Sequence, residues 1–401
     1  MSTLYLFNRD LRLKDNKALE RACEEELINF AIAIKETKDW GESKKQFYFE
    51  SVENLKNNLN KLGHELYQVH ENDFKALEGI DRVIMTKNYN SKELPLLNSY
   101  TGEVIEVEQS TLFSIEELPF SLKNLPQTFT PFRHKMDKVK KIPCELKSQY
   151  SLPKRGGVNL SLCSVSELSE VNTKFKGGED AGQARLNYYF SKKDLASHYF
   201  ETRNGMLDFD DSTKFSPWLS WGCISANTIY HKLKNYEKEY GANKSSYWIF
   251  FELLWRDYFK FLSLQKGDLI FDLKGTARRE LEFHPDQDQL FKQWKEAKTE
   301  EDFVNANMNE LNENGWMSNR GRQNVASFLA KTYKVNWLWG AKYFENHLID
   351  ADLESNQGNW GYLAGVGVDP RDRKFNIERQ QSIYDPEGEY IKKYSPKNAC
   401  L

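Results

Sequence analysis

Cysteine is scarce and scattered in this sequence. Cys23, Cys144, Cys163, Cys223 and Cys400 form no CxxC pair, which argues against a disulfide scaffold, a zinc site or an iron–sulfur cluster, so no metal is expected. A reducing, cytoplasmic setting fits such usage. No apolar run approaches about 18 residues, and Arg9 and Asp10 arrive before a signal-like core can form, so neither a membrane span nor an export signal is read. An excess of one charge is also missing: 56 Lys and Arg against 59 Asp and Glu leave a net charge of −3. Any nucleic-acid surface must then come from local segregation of charge. Several catalytic signatures are absent as well. There is no GxxxxGK[ST] loop, no GxSxG and no HExxH, and the seven histidines are dispersed, which makes P-loop enzymes, triad hydrolases and zincins poor fits. Gly365-Val366-Gly367 runs on to Asp369-Pro370 and not to a helix-opening GxxG, so no dinucleotide loop is expected there.

Aromatic residues, by contrast, are abundant, with 10 Trp, 20 Tyr and 25 Phe; by count alone they ask only for a large core. The first segment alternates strand and helix signals. Leu4–Phe7, Ile28–Ile34, Glu65–Val69, Arg82–Met85 and Glu103–Val107 read as strands, with helices over Asn16–Glu25 and Lys44–Lys61. This alternation predicts an α/β domain over residues 1–114, a parallel, Rossmann-like sheet covered by helices. Residues 115–177 lack clear periodicity and contain Pro119, Pro126, Pro131, Pro143, Pro153 and Gly156-Gly157, and are expected to be a linker. Within it, Phe132–Arg155 holds eight Lys and Arg against two acidic residues; a solvated face is the simpler account, a phosphate-facing edge the alternative. From residue 178 to residue 401 the pattern is helical, predicting a larger all-α domain.

The chemistry is concentrated in that second domain. Tyr247–Leu262 is apolar nearly all round, as expected of a helix deep in a bundle. Trp248, Glu252, Trp255, Arg256 and Phe259 nevertheless share one stripe of it. A carboxylate and a guanidinium on such a helix must be paired or face a cavity; an ion pair between Glu252 and Arg256 is the simplest structural account. In "WMSNRGRQ", Asn319, Arg322 and Gln323 share a face. In "LIDADLESNQGNWGYLAGVG", Asp350 and Asp352 lie on an apolar background, with Asn356 and Trp360 one turn apart. Three buried polar clusters are too many for a core without a ligand and point to a large polar cofactor held among helices.

These segments resemble the photolyase/cryptochrome family over essentially the whole chain. "LYLFNRDLRLKDNKAL" is similar to the family's opening strand and loop. "ETRNGMLDFDDSTKFSPWLSWGCIS", "YWIFFELLWRDYFKF", "ANMNELNENGWMSNRGRQNVASFLAK" and "WLWGAKYFENHLIDADLESNQGNWGYLAGVGVDP" are similar to its flavin-binding half. "STKFSPWLSWGC", "FELLWRDYF", "NRGRQNVASFL" and Tyr362, where bacterial cyclobutane-dimer photolyases usually carry Trp, resemble the DASH branch. The resemblance implies a U-shaped FAD in the helical domain. Tyr199, Ser212, Thr213, Lys214, Phe215 and Ser216 would hold its diphosphate. Glu252, Arg256 and Asn319 would line the flavin and adenine. Arg322 would pair with Asp350 beside the isoalloxazine, Asp352 would accept from its polar edge, and Asn356 would face its N5.

The implied activity is that of a deoxyribodipyrimidine photo-lyase: blue light drives an electron from reduced FAD to a cyclobutane pyrimidine dimer in damaged DNA, preferably single-stranded. Glu252 and Asn319 would hydrogen-bond the dimer's carbonyls, and Trp255 and Tyr362 would form the wall against which its bases stack. The rival is a light sensor that binds FAD and signals without repair. A light-independent flavin oxidoreductase lacks any nicotinamide motif to support it. A monomer is expected. The resemblance also implies inward electron transfer along three tryptophans, of which Trp360 and Trp337 are present. His284 stands at the third position, with Trp339, Trp294 and Tyr333 as candidate substitutes. Two further departures matter. Asn305 occupies a position usually held by Asp, and the acidic stretch near the family's antenna pocket is trimmed to "NYNSKELPLL", so a methenyltetrahydrofolate antenna, usual in the family, is left open as a second cofactor.

Overall fold

The apolar runs at the start of the chain pair into one parallel sheet. In the computed structural model, which describes residues 2–73, 75–90, 94–142, 146–157, 171, 173–191, 193–368 and 374–395, the strands are β1 (Thr3–Phe7), β2 (Leu27–Ile34), β3 (Leu66–His70), β4 (Arg82–Thr86) and β5 (Glu103–Val107). Their order is β3-β2-β1-β4-β5, with Leu4 of β1 opposite Asn29 on one side and Val83 on the other. β1, β2 and β4 are buried on both faces and so read as continuous apolar runs, whereas β5 is largely open and carries Glu103 and Glu106. The helices Lys17–Ala22, capped by the Asn16 side chain, and Glu42–Lys61 connect the first strands.

Strand order reverses between β1 and β4, which opens a crevice at their C-terminal ends. The helical domain docks there. Arg9 donates to the carbonyls of Ser220 and Ala351 and lies 4.3 Å over the Trp221 ring. Arg12 donates to the carbonyl of Gly222 at 3.0 Å. A Cβ at Gly222 would sit 1.9 Å from the Arg9 carbonyl, and its φ of +67° favours glycine. Asp10, fully buried behind them, accepts from the Tyr5 and Thr86 hydroxyls. The opening "NRDLR" is therefore a clamp between the two domains.

The stretch expected to be linker contains more structure than its prolines suggest. Phe129–Met136 is a helix that buries Phe129, Phe132 and Met136; that spacing is obscured in the sequence by Pro131, which the first turn of a helix tolerates. Upstream, Asp257 accepts the backbone N–H groups of Leu112 and Phe113, both at 2.9 Å. Burial raises the Asp257 carboxyl to about 6, and these two N–H groups hold it from going further. Much of the basic stretch is paired locally: Arg133 with Asp137, Lys141 with Glu117, Lys147 with Glu20 and Arg155 with Glu65. Helices follow from Glu179–Ser191 to Glu389–Tyr394. One apolar core runs from Phe7, Phe30 and Tyr48 to Trp221, Tyr258 and Phe261, and a second surrounds Trp294, Trp337 and Trp360. Among the described residues no helix is long and apolar enough to cross a membrane, and no cluster of His, Cys, Asp or Glu is placed to hold a metal. Cys23 and Cys223 carry free thiols, while Cys144, Cys163 and Cys400 lie outside the described residues.

Candidate functional site

The helix Lys244–Lys266 forms one wall of the site. Asn243 caps it by accepting from the Ser246 N–H. Its apolar circumference predicts burial all round, but only part of it, including Leu254, Tyr258, Phe261 and Leu262, enters the core. Trp248, Phe251, Glu252, Trp255 and Arg256 turn instead into a cavity of about 500 Å³, within the size range of ligand sites. The opposite walls come from the loop Ser212–Ser216, the helix Asn319–Ser327 and the turn through Asp350 and Asp352. Segments more than a hundred residues apart thus bring together Tyr199, Ser212, Thr213, Lys214, Phe215, Ser216, Glu252, Trp255, Arg256, Asn319, Arg322, Asp350, Asp352 and Tyr362 around one space. Asn356 is not among the lining residues: its amide donates to the Ala341 carbonyl at 2.9 Å. Trp360 and Trp337 lie behind the wall, in the second core.

The electrostatics are those of a polar cradle. Arg322 donates to Asp350 at 2.9 Å, and Ser216 donates to the same oxygen at 2.7 Å. The other Asp350 oxygen is buried without a partner. Asp352 caps the helix Leu353–Ala364 through the Ser355 N–H and sits 3.1 Å from Lys260. Burial by itself would raise Asp352, but Lys260 and Arg256 hold it well below the usual carboxylate range. Lys260 also bonds Glu354, which accepts from Asn90 of the α/β domain. Lys214 has a φ of +55°, an uncommon conformation for a side chain other than glycine. Burial lowers its ammonium to about 8, against the opposing pull of Glu310 and Asp211.

The Glu252–Arg256 ion pair is not formed. Glu252 is held by Arg203 at 2.9 Å, and Arg256 donates to the Ser110 carbonyl. Although the two share a face, each side chain has a partner outside the helix: Arg256 reaches the domain junction at Ser110, which leaves Glu252 to Arg203 of a neighbouring segment. The Glu252 carboxylate opens into the cavity but lies far inside the protein envelope, and burial raises its pKa while Arg203 lowers it. Phe129, from the stretch between the two domains, lies flat on Trp255, ring centroids 3.6 Å apart and planes within 10°. Asn319 and Asn359, the most open lining residues, mark the mouth.

Sequence reasoning missed Arg203, Arg320 and Asn359. Arg320 lies off the face shared by Asn319 and Arg322, yet its guanidinium reaches the cavity and lies 4.7 Å over Tyr384. Arg203 stands within the quoted "ETRNG" but carries no local signal of its pairing, 49 residues away. Asn305 accepts from the Thr299 N–H and hydroxyl and donates to the Thr299 carbonyl, each at 2.8 Å. An amide does here what a carboxylate does as acceptor, and adds a donor. The trimmed antenna stretch falls partly outside the described residues.

The donor set fits FAD. Hydroxyls, the Lys214 ammonium and the side chains of Arg256 and Arg322 line the cavity together, and Asp350 keeps one buried oxygen for a donor that the protein does not supply. Sequence comparison agrees. The profile described as DNA photolyase matches residues 3–149, and that described as FAD binding domain of DNA photolyase matches residues 248–401. The chain is 38% identical to the cryptochrome DASH of Synechocystis sp., over 99% of this chain and 88% of that protein. It is also 38% identical to the cryptochrome DASH of Xenopus laevis, over 98% of this chain and 82% of the other. A crystal structure of a Synechocystis sp. cryptochrome superposes with a TM-score of 0.90 at 37% identity, covering 98% of this chain and 88% of that one. A class III photolyase from Agrobacterium tumefaciens, 24% identical, shares the fold at a TM-score of 0.81 over 98% of this chain and 86% of its own. With both domain profiles matched and near-full-length identity to DASH cryptochromes, the chain belongs to the photolyase/cryptochrome family, as an FAD-binding member of its DASH branch.

Proposed function

We propose that the protein repairs cyclobutane pyrimidine dimers in damaged DNA, with a preference for single strands, and acts as a monomer in the cytoplasm. The observation that carries this reading is the cavity lining, which brings Glu252, Asn319, Trp255 and Tyr362 together with two arginines, Arg203 and Arg320. Bound FAD, once reduced, supplies the light-driven electron; the protein's residues bind and position what receives it. Ser212, Thr213, Lys214 and Ser216 offer hydroxyls, an ammonium and backbone N–H groups for a diphosphate. Burial pushes Glu252 toward its neutral form against the pull of Arg203; in that form it donates to a carbonyl oxygen of the dimer, and the Asn319 amide donates to the other. Both bonds favour the negative charge that develops on those oxygens. Trp255, fixed from outside by Phe129, and Tyr362 form the wall for the extruded bases. Arg203 and Arg320 suit the anionic backbone on either side.

A lesion reaches such a cavity only after leaving its stack. Reduced protein incubated with a thymine-dimer oligonucleotide should restore intact thymines under blue light and not in darkness. Flavin photoreduction without repair would assign the light-sensing role instead.

A further inference from the structure

We propose that Lys260 is a positioning residue for the flavin: it holds Asp352 as an anion from behind the cavity wall, and the α/β domain fixes it there. The proposal rests on FAD occupying the cavity and not on what the bound flavin then does. Asp352 borders both the cavity and a small polar gap at the domain junction, whereas Lys260 borders only the gap. Any contact of Lys260 with the cofactor is therefore made through Asp352.

The ammonium of Lys260, a residue only 6% exposed, lies 3.1 Å from Asp352 and 2.9 Å from Glu354. One Asp352 oxygen accepts from the Ser355 N–H and the other faces Lys260, which leaves each a lone pair for a donor in the cavity. Glu354 is buried, does not line the cavity, and accepts from Asn90 of the α/β domain at 2.5 Å. The Tyr89 ring lies 5.2 Å from the Lys260 ammonium, and Ser263, one turn further along the helix, donates to the Tyr89 carbonyl at 2.9 Å. Tyr89 and Asn90 belong to the start of the shortened stretch "NYNSKELPLL". The segment that departs from the family's pattern is thus the one that grips Lys260 and its second carboxylate.

The other charges near Asp352 are engaged elsewhere. Arg256, on the same helix as Lys260, donates to the Ser110 carbonyl. Arg9 and Lys87 face the gap from the α/β domain. Arg9 donates to the Ser220 and Ala351 carbonyls, and Lys87 pairs with Glu108 at 2.9 Å. Arg322 pairs with Asp350. Lys260 is the cation that bonds Asp352 directly. Burial pushes the Asp352 carboxyl up, and of the two cations that hold it down Lys260 contributes more than Arg256. Without Lys260 the balance shifts toward burial, so Asp352 takes up a proton at higher pH than before. A protonated carboxyl accepts more weakly than a carboxylate, and the flavin should then be held less tightly as pH falls.

Flavin release from the loaded, full-length protein tests this, read as the fluorescence of free FAD from about pH 7 down to about pH 5. Lys260→Met alone strands two buried carboxylates, so it is combined with Glu354→Gln, which removes one cation and one anion together and keeps an acceptor for Asn90. Across that range the double variant should lose about tenfold more affinity than wild type does. Glu354→Gln alone keeps Lys260 on Asp352 and should follow the wild-type profile. Adding Asp352→Asn to the double variant should abolish the extra acid loss, since the titrating group is gone. A wild-type profile in the double variant would overturn the proposal. So would the same acid loss in Glu354→Gln alone, which would mean that the cluster acts by packing, or acid loss that survives Asp352→Asn. Repair is not read in this experiment, so a flavin-loaded protein that repairs nothing would count against the proposed function and not against the role of Lys260.

Discussion

The carboxylate of Glu252 is held at 2.9 Å by Arg203, at the end of the short helix Tyr199–Thr202, and not by Arg256 one turn further along its own helix. The group assigned to donate to the lesion is therefore tuned from across the cavity. Burial favours its neutral form, and Arg203 opposes that. Replacing Arg203 with Met removes the opposition, so the Glu252 pKa should rise. If the protonated carboxyl is the active form, the alkaline limb of the repair–pH profile should move to higher pH. Glu252→Ala should lower repair while leaving the flavin bound. A limb that stays in place in Arg203→Met would show that Glu252 does not act as a proton-bearing donor.

A second expectation concerns stability. Asp350, buried to 6% exposure, is the carboxylate that Arg322 and Ser216 share. Asp350→Ala strands the Arg322 guanidinium in the cavity wall, at a cost of roughly 3–5 kcal/mol. Denaturant unfolding should register that loss, together with a lower flavin-to-protein ratio. Wild-type stability in the variant would mean that Arg322 finds another partner or reaches water.

The third follows from Lys214. Its ammonium titrates near 8 because burial disfavours the charge. As pH rises past about 8, the cradle loses a cation and flavin affinity should fall. Stability of the flavin-free protein should move the other way. The folded-state pKa lies below the unfolded value of about 10.4, so between them the unfolded chain binds more protons and folding gains with pH. Lys214→Met should flatten both trends; flavin titration and thermal unfolding at several pH values check them.

The fourth concerns substrate. Extruding a lesion from duplex costs a few kcal/mol that a single strand largely avoids. Repair of a dimer in a single strand or a loop should outpace repair of the same dimer in intact duplex. Equal rates on both would remove the assigned preference.

Much of this protein was legible in its sequence because the signals are local. The central strands β1, β2 and β4 announce themselves as mostly apolar runs, since burial on both faces leaves little place for polar residues. The stripe Trp248–Glu252–Trp255–Arg256 betrays a cavity, since a carboxylate and a guanidinium among aromatics have no other economical setting. Other features depend on which distant segments the fold brings together. No spacing in the chain relates Glu252 to Arg203, Phe129 to Trp255 or Trp294 to Trp360. Helix periodicity states which face a side chain shares, but not how the helix is rotated against its neighbours. That rotation is set by packing of the two cores and by the domain clamp at Arg9 and Gly222. The sequence alone therefore determined the kinds of element and the chemistry they carry, while only tertiary packing decided which charges pair and which indoles touch, because those contacts form between segments whose separation along the chain holds no periodic record of them.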